Sequence, residues 1–129
     1  MDRRNRLAKL LLLQRRLKEL HEAKHAAFLK EAAAAEKEAA DLAERLDADD
    51  SLSALFPDLY HQRIGRALVR RDQNRKRAAE EAEKIATANA RANVVERVHR
   101  EAVRKHERLT EEKAILDLIE RRLKPGGAE

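Results

Sequence analysis

His21 and His25 lie four residues apart, the spacing at which two imidazoles share one helix face and could hold a zinc ion. Such a site needs further ligands. Glu22 falls on another face, and the sequence fixes no third ligand, so no metal is expected. His99 and His106 are seven apart and read as polar positions within a helical seam. The pair Glu80-Glu81 reads as ordinary helix-surface charge, with no pocket to shift its pKa. No glycine-rich phosphate loop, nucleophile elbow or HExxH pattern occurs. Neither an enzyme nor a cofactor is expected.

Two other groups suggest binding rather than catalysis. Arg63, Arg66, Arg70, Arg71, Arg75, Lys76 and Arg77 form a basic patch interrupted by one acid, Asp72. It could meet phosphates or an acidic protein face, or simply be solvated. Tyr60 is the only nearby ring, so bases would have nothing to stack on, and nucleic acid is not the expected partner. Beside this patch Tyr60, Ile64, Ala67 and Arg71 follow spacings of 4, 3 and 4. With Leu59 and Leu68 they form an apolar strip, either a contact surface or packing against residues 51–56. At the chain ends, Leu10-Leu11-Leu12-Leu13 and the run from Ile115 through Leu118 to Ile119 each cover more than one helix face. One seam between two helices cannot bury both, so the surplus, with Leu7, marks a docking surface. Homodimerisation into a four-helix bundle is the plainer alternative.

The elements that carry these groups follow from composition. Of 129 residues, 41% are charged and 2% aromatic, too few rings for an ordinary globular core and typical of a coiled coil. The buried fraction should therefore fall below the ~68% usual for a compact domain of this length. There is no cysteine, which suits a reducing compartment. No apolar run approaches the ~18 residues of a membrane span, and Leu10–Leu13 is too short for a signal peptide. The net charge of +5 arises from 29 basic and 24 acidic residues, a mixed surface rather than a polyanion-binding one.

The spacing predicts one helix over about 2–48, with Asp2 as its N-terminal cap, and a second over about 58–124, capped by Asp58. A break or tip over about 49–58 separates them, where Asp, Ser and Pro57 collect; residues 125–129 are a tail ended by Pro125-Gly126-Gly127. The first stripe reads Leu10, Leu13, Leu17, Leu20, then steps of four through Lys24 and Phe28, a stutter, before Ala32, Ala35, Ala39, Leu42 and Leu46. The second reads Ile64, Leu68, Arg71, Arg75, Ala78, Ala82 and Ile85, and continues to Leu123. The fold expected is all-α: a single-domain, long antiparallel two-helix coiled-coil hairpin with a short irregular or helical tip. Matching leucine-rich 7–20 to 109–123, and alanine-rich 26–40 to 86–102, aligns the two chain ends flush. The tip would then span 49–75, centred near Gly65. A competing register folds sharply at 49–57 and leaves about 18 residues of the second helix overhanging, roughly 27 Å.

The basic, leucine-rich N-terminus (Met1, Arg4, Leu7, Leu10, Leu11, Leu13, Arg16), the unpaired middle and the long C-terminal helix together resemble the FliJ family of flagellar export proteins and its YscO-type injectisome counterparts. The resemblance covers nearly the whole chain. It implies a cytoplasmic, non-enzymatic stalk at the membrane export apparatus, a monomer when isolated, whose paired terminal helices insert into the hexameric export ATPase. Leu7, Leu10, Leu11, Leu12, Leu13, Ile115, Leu118 and Ile119 would meet that ring. It also implies that a strip of the Tyr60, Ile64, Ala67 and Arg71 kind contacts the export gate. Here Arg71 stands where the family has histidine, and Tyr60 where it has phenylalanine. Export chaperones are further candidate partners. The alternatives are a basic coiled coil binding nucleic acid and a structural homo-oligomer.

Overall fold

The computed structural model describes residues 2–48 and 55–124; the expected break and tail lie largely outside them. Two helices account for almost all of the described residues: α1, Arg3–Asp47, and α2, Pro57–Leu123. They pack against each other as an all-α helical hairpin, and no described residue is in a strand. Both starts have a local chemical cause. Asp2 caps α1, its Oδ1 accepting the Arg4 backbone N–H at 3.1 Å, as expected for an N-cap aspartate. At α2 the expectation shifts by one residue. Pro57, not Asp58, opens the helix, because a first-turn proline lacks only a donor that would go unpaired anyway. Asp58 sits in the first turn, where its charge favours the helix dipole.

α2 runs unbroken through Gly65, so the described residues from Pro57 to Arg75 do not form the tip that the flush register required. The chain divides into two compact units, residues 16–89 and residues 1–15 with 90–129. In the first, His21 faces Glu81, Glu38 faces Arg63 and Arg70, and Glu36 faces Arg71 and Arg75. The flush register would instead have set His21 against His106 and Glu38 against Ala90. In the second, Arg15 reaches Glu96, and Asp2, Arg3 and Arg4 share a hollow with Ala102, Lys105, His106 and Leu109. The sharp-fold register is therefore the observed one. Its physical cause is the early start of α2: once Pro57 nucleates a helix, the residues after it pack straight back onto the end of α1.

The seam also differs from the expected stripe. The buried and half-buried residues of α1 are chiefly Leu7, Leu11, Gln14, Lys18, His21, His25, Phe28, Ala32, Ala35, Ala39, Leu42 and Leu46. Their spacing alternates 4 and 3 without a stutter, the left-handed coiled-coil pattern. Leu10, Leu13 and Leu20 are exposed. The phase is that of Phe28 and the alanines after it, and α1 keeps it toward the N-terminus even where leucine is offered one position away. On α2 the corresponding line is Tyr60, Ile64, Ala67, Arg71, Asn74, Ala78, Glu81, Ile85, Ala88, Ala92, Val95, His99 and Ala102. Asn74 and Glu81 thus take the places expected for Arg75 and Ala82. Asn74 is satisfied locally, its Nδ2 donating to the Arg70 carbonyl at 2.9 Å.

Most of the fully buried apolar residues are alanines, so the helices gain little area per contact but can approach closely. No helix among the described residues is long and apolar enough to cross a membrane.

Candidate docking surface

At the start of α1, Asp2, Arg3 and Arg4 share a hollow with α2 residues as far along as Leu109. Residues 110–123 continue as helix, every one of them exposed, for about four turns or roughly 21 Å. Leu109, Ile115, Leu116, Leu118, Ile119 and Leu123 are all exposed there. Leu109, Leu116 and Leu123 fall at intervals of seven on the line that carries Ala102, so the seam stripe of α2 goes on after α1 has ended. Ile115 and Ile119 widen it along one edge. This is an apolar helix face left exposed among the described residues.

On α1, Leu10, Leu12 and Leu13 are exposed, but Leu7 is half-buried and Leu11 retains only 8% of its surface. Leu11 is a seam residue and no part of an outer surface. The expected open-end group therefore separates. Leu10, Leu12 and Leu13 face outward on α1, whereas Ile115, Leu118 and Ile119 lie beyond its start. Leu109, Leu116 and Leu123 were legible only as seam. Their exposure follows from the register, which the stripe alone does not carry.

The Tyr60 strip also lies on the seam. Ala67 is at 0% exposure, with Tyr60, Ile64 and Arg71 half-buried. An alanine wholly covered by the chain's own packing offers nothing to a partner. Within the basic patch, Arg63 and Arg70 bridge to Glu38, while Arg75 and Arg71 bridge to Glu36 at 3.0 and 3.7 Å. Arg66 joins Arg63, Arg70 and Glu38 around one shallow hollow. Arg77 places its guanidinium 5.9 Å from the Phe28 ring centroid, a cation–π arrangement, and Lys76 is exposed. Two glutamates of α1 thus occupy much of what the sequence presents as free positive charge.

Of the histidine pair, His21 has a carboxylate partner across the seam. His21 Nδ1 donates to Glu81 Oε2 at 2.6 Å, and Lys84 donates to the other carboxylate oxygen at 3.4 Å. Glu81 is the one charged side chain buried among the described residues. Burial pushes its carboxyl up, but the His21 hydrogen bond and the Lys84 ammonium outweigh this and hold it below its ordinary 4.5. The sequence reading set Glu81 aside as surface charge; its place seven residues after Asn74 on the seam line was the available signal. No group of three or more potential metal ligands occurs among the described residues.

No protein-family model, curated protein or solved structure matches this chain.

Proposed function

We propose that the chain is a non-enzymatic docking protein that works through the uncovered apolar face of α2 beyond Leu109. Following the resemblance in the N-terminal leucine-rich segment and the hairpin, the partner is the hexameric ATPase of a type III protein export apparatus. The chain would act there as a cytoplasmic stalk or adaptor. The observation that carries this reading is the segment 110–123, helical, apolar along one side and exposed among the described residues. The outward leucines of α1, Leu10, Leu12 and Leu13, supply a second apolar contact. Binding would be allosteric in effect, biasing the assembly or rotation of the ring, since the chain brings no catalytic group of its own to the reaction.

No export-gate role is proposed for Tyr60, Ile64, Ala67 and Arg71, because they are committed to the seam. Nucleic-acid binding is not proposed either, because Glu36 and Glu38 engage four of the arginines that would carry it. The test is capture of the export ATPase by the full chain. Ile115→Asp with Ile119→Asp should abolish capture while leaving the circular dichroism of the hairpin largely intact. Leu11 is unsuitable for this purpose, since its replacement would damage the seam. Undiminished capture by the double variant would sink the reading.

A further inference from the structure

The end of the hairpin at the break carries apolar side chains that the seam does not take up. Leu55, Phe56 and Leu59 stand at the start of α2 with 71%, 59% and 53% of their surface exposed. Phe56 occupies the cap position, its carbonyl accepting the Tyr60 backbone N–H at 3.3 Å. From Leu59 the spacing 4, 3, 4 leads along one side of α2 to Arg63, Arg66 and Arg70. These three arginines surround one shallow hollow with Glu38. Glu38 serves both Arg63 and Arg70, and Arg66 has no carboxylate partner among the described residues, so three guanidiniums share one carboxylate. The adjoining hollow adds Asp41 together with Lys37 and Arg45, and leaves the sign unchanged. The other side of α2 differs. Its line through Gly65 carries Asp58 and Asp72, seven residues to either side, and no base. Arg75, on the neighbouring line, is bridged to Glu36 at 3.0 Å. Among the described residues, one side of this end is therefore apolar and basic, and the other is not.

We infer that this end of the hairpin rests on an anionic lipid surface, with Leu55, Phe56 and Leu59 entering the headgroup layer and Arg63, Arg66 and Arg70 meeting the lipid phosphates. Apolar insertion beside basic side chains is the combination by which surface segments hold anionic membranes. Three features favour a bilayer over another polyanion. The apolar side chains are each more than half exposed at a helix start, a protruding arrangement that suits a yielding surface better than a fixed pocket. They are grouped at one end of the arginines, whereas base stacking on a nucleic-acid strand would need rings interleaved with the cations. Asp58 and Asp72 fix which side of α2 turns away, because an anionic leaflet repels them. The contact is peripheral, since no helix among the described residues is long and apolar enough to span. It uses neither residues 110–123 nor the outward leucines of α1, so it does not rest on the export reading, and its failure would leave ATPase capture untouched.

The test is co-sedimentation of the full chain with phosphatidylcholine vesicles, with and without phosphatidylserine. Binding is expected to the anionic vesicles alone and should weaken as salt rises. Phe56→Ser with Leu59→Ser should lower the affinity about tenfold or more, and Arg66→Gln roughly fivefold. All three positions are exposed, so the circular dichroism of the hairpin should not change. The chain has no tryptophan, so Phe56→Trp supplies a single reporter. Its emission should shift to the blue on anionic vesicles and be quenched by brominated lipid. The chain with Ile115→Asp and Ile119→Asp should bind vesicles as the parent does, which separates this surface from the docking face. No binding to anionic vesicles, or equal binding to phosphatidylcholine alone, overturns the proposal. So does unshifted emission from the bound Phe56→Trp chain. Tighter binding to a single-stranded oligonucleotide or to polyglutamate than to the anionic vesicles would overturn it too, in favour of a nucleic-acid or acidic-protein partner.

Discussion

His21 and Glu81 show how a residue can be recognised and its task misjudged. The spacing of His21 and His25 is that of a metal pair without a third ligand, and across the seam His21 spends its Nδ1 proton on a carboxylate sixty positions away. A buried carboxylate is tolerated only with such partners, and breaking one side of the pair leaves an uncompensated charge. The sign of the resulting pH effect is fixed by the direction of the shift. The folded-state carboxyl titrates below its ordinary 4.5, so Glu81 contributes stability above that value and loses it as pH falls through the lower, folded value. Glu81→Gln should therefore melt at a lower temperature than the parent near neutrality, and the gap should close as pH drops well below 4.5. Thermal melts followed at 222 nm across that range check this, and a gap independent of pH would count against it. Sequence could not assign this role, because periodicity gives a residue its face and says nothing of what stands across from it.

The elements themselves were largely legible. The ends of both helices fall within a residue or two of expectation, since Asp2, the Asp/Ser-rich break, Pro57 and the terminal Pro-Gly-Gly leave little choice. What did not follow was phase. Leucine at positions 10, 13, 17 and 20 looked like a stripe, but Leu10, Leu13 and Leu20 are exposed, and the helix keeps the phase set by Phe28 and the alanines. Apolar content is a guide to the seam only where both helices must bury it. Gly65 offers a direct check on α2. It lies inside the helix, and a Cβ there would meet open space. Gly65→Ala should stabilise the chain by about 1 kcal/mol, through helix propensity and a less flexible unfolded chain. Urea unfolding measures it; a loss of stability would mean that the helix does not run straight through this position.

For the molecule as a whole, the exposed surface is 10328 Å², against roughly 7000 Å² for a compact protein of this mass. The low buried fraction anticipated from composition is therefore present. With alanine making up most of the fully buried apolar residues, exposed ion pairs carry a larger share of the specificity than they would in a leucine seam, although each is worth only about 0.2–1 kcal/mol. Reversing Glu36 and Glu38 to arginine together should destabilise the hairpin by about 1–2 kcal/mol at low salt, with the difference shrinking near 1 M as the charges are screened. A penalty unaffected by salt would point to packing instead. The docking surface was only half legible for a related reason: composition put apolar excess at both chain ends, while the register decided that α2 alone would carry it past the other helix.

The unbroken alternation of 4 and 3 along both seam lines has a consequence of its own. The flush and observed alignments differ by roughly three heptads, a shift that leaves the same faces of α1 and α2 turned toward each other. Where alanine meets alanine such a step changes little, so the alanine part of the seam is a weak guide to register. A further guide is written in charge: Glu36 and Glu38 for their arginines, Glu81 for His21. Three glutamates thus reinforce the alignment that the early start of α2 imposes, the alignment that leaves the end of the longer helix free.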